Sequence, residues 1–369
     1  MTGAPVTGRG KPPRTGLLRM GLPRPQRGAR PPVPATARVT TFVLAAVLLL
    51  IFPLVFHSPF WLETGILAMI FATAATGWNV LGGYAGQVSF GNAVFLGAGA
   101  YTTAIAVRAG WSPWLGILAG AVVAAVIALL IGLPCFRLRS HYFAIATIAV
   151  GEIADIIVNG TSRLGASAGL TIPLRPQGLA SLQFSVRNPA PYYYVALVVF
   201  AAGAAGMRLL LRGRPGLYLQ AIRDDEDAAA AAGVNVWRYK VLAVLASAVL
   251  TAVPGGIYAM YVLFVDPSLV LDLTVSINLV LMVMLGGIGT LWGPLIGAWA
   301  LELLQQYTRQ RFGAVAGLDL MIFGICIVII MLVEPGGITA LISRGWAALP
   351  FARAAAADPA ASTSGGSRQ

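Results

Sequence analysis

Few side chains in this sequence could do chemistry, and several of them are polar or ionisable groups inside otherwise apolar stretches. Glu152 and Asp155 lie three residues apart, so a helix would place both carboxylates on one face, and Glu302 lies in another apolar stretch. Ionisable groups in a membrane span are costly and usually line a polar path. Hydrogen bonding between helices is the alternative role. The candidates for a translocation pathway are Gln87, Ser89, Asn92, Glu152 and Asp155.

A second group of charges lies in the segment 212–239. Four consecutive acids, residues 224–227, follow Arg223, and an alanine run then leads to Gly233. These residues favour one short helix over 217–232, ended by Gly233 and stabilised by an Arg223–Asp227 pair. Such a helix is too polar to span a membrane, so it is either a docking surface for a soluble partner or a solvated connector. The docking candidates are Arg223, Asp224, Glu226, Asp227, Ala228, Ala229 and Gly233.

The familiar catalytic constellations are not supported. A P-loop needs Gly-Lys-Ser/Thr, but Lys11 precedes a proline and Lys240 follows a tyrosine, so the chain itself carries no such ATPase motif. Ser167 matches the Gly-x-Ser-x-Gly pattern, yet it lies in an expected loop without an evident His and acid partner. Two scattered cysteines and two scattered histidines suit neither a zinc site nor a disulfide framework. We therefore expect no catalytic residue, metal or cofactor.

The composition points to a membrane. Of 369 residues, 58% are hydrophobic and only 10% are charged, which excludes a soluble enzyme and a disordered chain. Because about 20 residues cross the hydrocarbon core, the sequence predicts an all-α, polytopic membrane helix bundle of about ten helices, with a range of eight to ten. The expected helices are 40–57, 61–82, 87–108, 113–134, 141–159, 191–211, 240–264, 275–289, 292–309 and 319–335.

The basic residues predict the orientation and the domain limits. Eight of the 25 Lys and Arg residues lie in the first 38 positions, beside the first apolar run, which suits a cytoplasmic tail better than nucleic-acid binding. With the amino terminus inside, 19 basic residues are cytoplasmic and six are outside. We expect a disordered tail (1–38), a transmembrane domain (39–342) and a flexible tail (343–369). Within the domain, segment 160–190 forms an outer loop and segment 212–239 an inner loop.

Two glycine-rich segments echo one another. Residues 81–86 read Leu-Gly-Gly-Tyr-Ala-Gly, and residues 285–289 read Leu-Gly-Gly-Ile-Gly. We expect a helix break at each, with the second break extending to Gly293-Pro294. Paired interruptions of this kind often flank the substrate path of a transporter, although close helix packing explains glycine equally well.

The motifs together resemble the LivM-type permease subunit of bacterial branched-chain amino acid ABC importers. Asn92 stands where this family often has His, so the resemblance implies no titrating group there. The matching stretches lie in the family's order, and they are 82–93 with 97–101, 141–153 with 169–170, 221–233, and 281–294.

The resemblance implies a multi-subunit importer in the bacterial cytoplasmic (inner) membrane. It implies that separate ATPase subunits use ATP and bind the inner loop. It also implies that a second, LivH-like permease completes the path and that an extracytoplasmic binding protein delivers substrate. The expected substrates are leucine, isoleucine and valine, with urea or short amides as the alternative within the family. A passive channel for a small neutral solute and a membrane scaffold without transport activity are the alternatives outside it.

Overall fold

The computed structural model describes residues 35–136, 140–185, 189–313, 318–333 and 337–338, and these residues are almost entirely helical. Most of the predicted amino-terminal tail and all of the predicted carboxyl-terminal tail lie outside the described residues. The α-helices are α1 (Ala35–Val55), α2 (Pro59–Trp78), α3 (Asn92–Arg108), α4 (Pro113–Cys135), α5 (Ser140–Gly160), α6 (Ala190–Arg212), α7 (Arg214–Asp224), α8 (Glu226–Ala231), α9 (Val236–Val262), α10 (Pro267–Val270), α11 (Leu273–Gly286), α12 (Gly293–Phe312) and α13 (Leu318–Val333).

The predicted membrane bundle is confirmed, and each of the ten predicted helices overlaps an α-helix of the structure. Helices α3 and α13 are short and α12 is less apolar, so the number of crossings remains a range. Within the described residues, six helical segments are long and apolar enough to cross a membrane: Pro59–Tyr84, Pro113–Cys135, Tyr142–Gly160, Ala190–Arg212, Val236–Val262 and Pro267–Gly286.

Helix α9 lies at the centre of the packing and contacts α2, α3 and α4. Glycines make this close approach possible, because a Cβ on Gly99 of α3 would overlap the carbonyl oxygen of Ala252, and one on Gly255 of α9 would overlap that of Leu96. The chain divides into two compact units, residues 1–44 and 45–369, and this core belongs to the second.

Both predicted helix breaks are present. Helix α2 continues into a π-helical turn, Asn79–Tyr84, and the chain then leaves the helix through Gly86, whose φ of +71° is readily available only to glycine. Helix α3 begins at Asn92, five residues later than the predicted start at 87, because residues 85–91 follow this turn as irregular chain. The second break separates Gly286 at the end of α11 from Gly293 at the start of α12.

The two long loops carry more structure than the sequence predicts. The outer segment holds two short 3-10 turns, Ser162–Leu164 and Ala166–Ala168, and strand β1 (Leu170–Thr171). Strand β1 pairs antiparallel with β2 (Phe264–Val265), which follows α9, so the loop is tied to the bundle. The inner segment forms two helices, α7 and α8, where one was predicted.

The central packing predicts a contrast between two single-methyl additions. Gly255→Ala should lower stability by about 1–3 kcal/mol, because the methyl group meets the backbone of α3. Gly206→Ala on α6 is the matched control, since a Cβ there has no neighbour within 4 Å, and it should be neutral or stabilising by up to about 1 kcal/mol. Thermal unfolding of the detergent-solubilised chain measures both. Equal melting temperatures for the two variants would contradict the packing described.

Candidate functional site

The inner helical pair is set by local sequence. Pro215 lies in the first turn of α7, where a missing N–H is tolerated, and a Cβ on the next residue, Gly216, would overlap the backbone of Leu211 at the end of α6. Pro215 and Gly216 therefore lie in the first turn of the inner helix, which begins at Arg214, and Gly213 separates it from α6. As predicted, Gly233 follows the end of the pair with φ of +86°.

Asp225 divides the predicted single helix in two. Its backbone is extended (φ −159°, ψ 112°), and its side chain accepts a hydrogen bond from the Ala228 N–H at 2.9 Å, so it is the N-cap of α8. The helical register between Arg223 and Asp227 is thereby lost. Among the described residues, the ion-pair partner of Arg223 is Asp224, at 3.6 Å, and the predicted Arg223–Asp227 pair is wrong.

The apolar face of α7 rests on the membrane bundle. Leu219 and Ile222 are buried, and Leu219 belongs to an apolar cluster that includes Val80 and Leu81 of the π-helical turn. Beside them, the Arg223 guanidinium donates a hydrogen bond from Nη1 to the carbonyl oxygen of Gly83 at 2.9 Å. The inner helix therefore contacts the first glycine break directly.

Glu226, a predicted docking residue, has a partner within the chain. Both of its carboxylate oxygens lie 2.7 Å from Nζ of Lys240, a lysine whose side chain is only 3% exposed, while the Glu226 side chain is 49% exposed. A buried ammonium without a partner would be costly. Glu226 therefore holds α8 against the start of α9, and we missed this role because the two residues are not neighbours in sequence.

The remaining predicted docking residues divide by exposure. Ala229 is buried at 5% exposure and faces the protein. Asp224, Asp227, Ala228 and Gly233 are exposed. Two large apolar side chains, Leu217 and Trp237, are also exposed on this segment, at 68% and 52%. The exposed surface of the inner segment thus combines acids, arginines, small residues and two apolar side chains.

Three of the five predicted pathway residues lie together at the start of α3. Asn92 is fully buried, and its Nδ2 donates to Oγ of Ser247 at 3.1 Å and to Oγ1 of Thr251 at 3.5 Å, both on α9. The next residue, Ala93, donates its N–H to Oγ of Ser276 on α11 at 2.9 Å. Asn92 thus joins α3 to the centre of the bundle.

The irregular segment that precedes α3 is held by side chains. The Trp78 indole donates to the carbonyl oxygen of Ser89 at 2.6 Å, and the Phe90 N–H donates to Oγ1 of Thr147 at 3.0 Å. Ser89 and Thr147 line a small cavity of about 10 Å³, which is room for one water molecule. Gln87 Oε1 and Asn92 Oδ1 are buried acceptors without a hydrogen-bond partner among the described residues.

The other two predicted pathway residues, Glu152 and Asp155, are not part of the group formed by Gln87, Ser89 and Asn92. Both lie on α5, where Glu152 is exposed and Asp155 accepts a hydrogen bond from Asn159 Nδ2 at 3.0 Å. The exposed part of this helix also carries large side chains that are mainly apolar, Tyr142, Ile145, Ile153, Ile156 and Ile157. Only 11% of this candidate span is buried within the chain.

Several important residues escaped sequence analysis. Ser247, Thr251 and Ser276 read only as small residues of apolar helices, and no spacing distinguishes them from packing positions. Asn79 is one polar residue within an apolar stretch, and its sequence context does not predict its partners. Within the described ranges, the His, Cys, Asp and Glu side chains form no group that could hold a metal ion.

The Glu226–Lys240 pair predicts an asymmetric mutational effect. Glu226→Gln should destabilise the chain by at most about 3 kcal/mol, since Lys240 then keeps a buried charge while Glu226 is half-exposed. Adding Lys240→Met should recover most of the loss, whereas Asp227→Asn, at an exposed acid, should change little. Thermal unfolding in detergent compares the four chains, and a double variant no better than Glu226→Gln would refute the pairing.

Comparison with known proteins agrees with the motif resemblance. Residues 61–331 match the family described as "Branched-chain amino acid transport system / permease component". The chain is 27% identical over 299 residues to the "High-affinity branched-chain amino acid transport system permease protein LivM" of Escherichia coli (strain K12), covering 75% of this chain and 69% of that protein. It is 28% identical over 271 residues to the Salmonella typhimurium protein of the same name, covering 67% and 63%.

A more distant relative is similar over a shorter region. The "Probable branched-chain amino acid transport permease protein LivM" of Methanocaldococcus jannaschii is 23% identical over 235 residues, covering 61% of this chain and 67% of that protein. No solved structure matches the chain. The family model covers well over half of the sequence, and the apolar helices fit a multi-pass membrane protein. The chain therefore belongs to the family of permease components of branched-chain amino acid transport systems.

Proposed function

We propose that this chain is the permease subunit of an ATP-driven importer that moves leucine, isoleucine and valine across the bacterial inner membrane by alternating access. One observation carries the proposal: α7 and α8 expose a run of acids, and α7 packs on the π-helical turn of a membrane span. A soluble ATPase that binds this surface could displace α7 and thereby move the membrane spans that α7 contacts.

The ATPase subunits are the proposed partners of this surface. The chain offers Asp224 and Asp227 for charge pairing, and Leu217 and Trp237 as apolar anchors. Apolar and aromatic anchors within a polar surround are typical of binding interfaces. The chain has no P-loop of its own, so ATP would be bound and hydrolysed by these partners.

A second, LivH-like permease is proposed to cover α5. Glu152 lies on an exposed helix face that is otherwise apolar, and a carboxylate that faces lipid at membrane depth is costly. A second permease over this face would replace lipid with protein or a polar path. Glu152 and Asp155 would then line the path between the permeases. Gln87, Ser89 and Asn92 would support this path from within the bundle of this chain.

The orientation follows from the charge distribution. With the amino terminus inside, 19 of the 25 basic residues are cytoplasmic, which favours a cytoplasmic amino terminus and a cytoplasmic docking surface. The outer segment with β1 would then face an extracytoplasmic binding protein. The names of the similar proteins favour branched-chain amino acids over urea or short amides as substrates.

Transport assays separate the proposed function from its alternatives. Proteoliposomes that contain the chain with its partner permease, ATPases and binding protein should accumulate labelled leucine only when ATP is present on the side of the membrane that carries the ATPases. Inactive ATPases should abolish uptake, because the permease alone would not complete the cycle. Leucine that equilibrates down its gradient without ATP would instead support a passive channel, and uptake of urea but not leucine would reassign the substrate.

Charge reversal tests the docking surface. Asp227→Lys should sharply reduce co-purification of the ATPases and abolish uptake, while the chain still inserts into the membrane. Asp227 suits this test better than Glu226, whose loss also unpairs Lys240. Glu63→Lys is the matched control: the same charge change at an exposed acid near the start of α2, at the end opposite the π-helical turn. Unchanged co-purification in Asp227→Lys would count against docking at this surface.

A further inference from the structure

The two glycine breaks that echo one another in sequence lie against each other in the structure. Asn79, the first residue of the π-helical turn, joins them with its side-chain amide. Its Nδ2 donates to the carbonyl oxygen of Thr290 at 2.8 Å, and its Oδ1 accepts from the N–H of Gly289 at 2.9 Å. A Cβ on Gly83 would lie 2.8 Å from the backbone nitrogen of Gly289, so no side chain separates the breaks.

Arg223 places the inner helix against both breaks at once. Its guanidinium donates to the carbonyl oxygen of Gly83 at 2.9 Å. Its Cγ lies 2.7 Å from the position that a Cβ on Gly86 would occupy, and its Nη1 lies 3.2 Å from the corresponding position on Gly289. Gly86 and Gly289 both have φ of +71°, so one arginine side chain lies over both left-handed turns.

The contact is directional, unlike the rest of the α7 interface. Leu219 and Ile222 pack through apolar surface, which permits sliding, whereas a charge-assisted hydrogen bond fixes a donor on one acceptor. The Arg223–Asp224 pair contributes little to this, because its side chains are 38% and 74% exposed and the charges are 3.6 Å apart. The hydrogen bond to Gly83 is therefore the specific link between α7 and the breaks.

We propose that Arg223 is a positioning residue that transmits displacement of α7 and α8 to both glycine breaks, with Asn79 making the breaks move as one unit. This inference rests on the proposed function, since it assigns the step between a docked ATPase and the membrane spans. Motion of α7 would pull on the Gly83 carbonyl, and the Asn79 amide would carry the same displacement to Gly289 and Thr290, the entrance to α12.

The test separates docking from coupling in the assembled importer. Arg223→Ala should retain co-purification of the ATPases and ATP hydrolysis, while leucine uptake per ATP hydrolysed falls by about tenfold or more, because a hydrogen bond to a charged group is lost. Asn79→Ala should lower the same ratio. Arg208→Ala is the matched control: the same change at an exposed arginine of α6 leaves the bond between Arg223 and Gly83 in place and should stay within about twofold of the original chain.

Arg223→Lys keeps a charged donor and the aliphatic stem that lies on Gly86, so it should restore part of the leucine uptake per ATP hydrolysed. If the Arg223→Ala chain fails to insert into the membrane, the lysine variant becomes the main test. An Arg223→Ala ratio close to that of the original chain, a loss of ATPase co-purification, or no recovery with lysine would each overturn the inference. ATP-independent uptake by the unmodified complex would instead overturn the proposed function, and this inference with it.

Discussion

A helix that is interrupted inside an apolar bundle frees backbone donors and acceptors, and these must find partners within the protein because lipid offers none. This chain interrupts its helices twice with glycine and brings both interruptions to the same place. There the Asn79 amide satisfies the Gly289 N–H and the Thr290 carbonyl group, and the Arg223 guanidinium satisfies the Gly83 carbonyl group. The arrangement of α2, α3, α11 and α12 depends on these contacts, and the inner helix is fixed by the same set.

The other constraint is close approach of backbones. Apolar side chains gain little by leaving lipid for protein, so helices in a bilayer associate through van der Waals contact and hydrogen bonds. Helix α9 meets α3 at Gly99 and Gly255, and the hydroxyl groups of Ser247 and Thr251 reach Asn92 in the same interface. Small residues and short polar side chains therefore act together, since the hydrogen bonds between the helices form only when glycine lets the two backbones approach closely.

Local signals predicted much of the fold. Glycine clusters located both breaks, and Gly233 located the end of the inner pair, because a positive φ is a property of the residue itself. The prediction of one inner helix through the acidic run was wrong. Helix propensity favoured a continuous helix over these residues, whereas the structure uses Asp225 as the N-cap of a second helix. Capping and helix continuation compete within a few residues, and here the Asp225 cap divides the segment into α7, which packs on the bundle through Leu219, and α8.

The sequence by itself determined that this chain is a helical membrane protein, where its two glycine breaks lie and which segment is too polar to span a membrane. Hydropathy, glycine and proline act over a few residues, so these features can be read along the chain. Only the tertiary structure decided which polar groups meet. Arg223 and Gly83 are 140 positions apart, and Asn79 and Thr290 are 211 apart. Such pairs depend on how the helices pack, because a hydrogen bond requires two atoms within about 3 Å, and no local pattern encodes that distance.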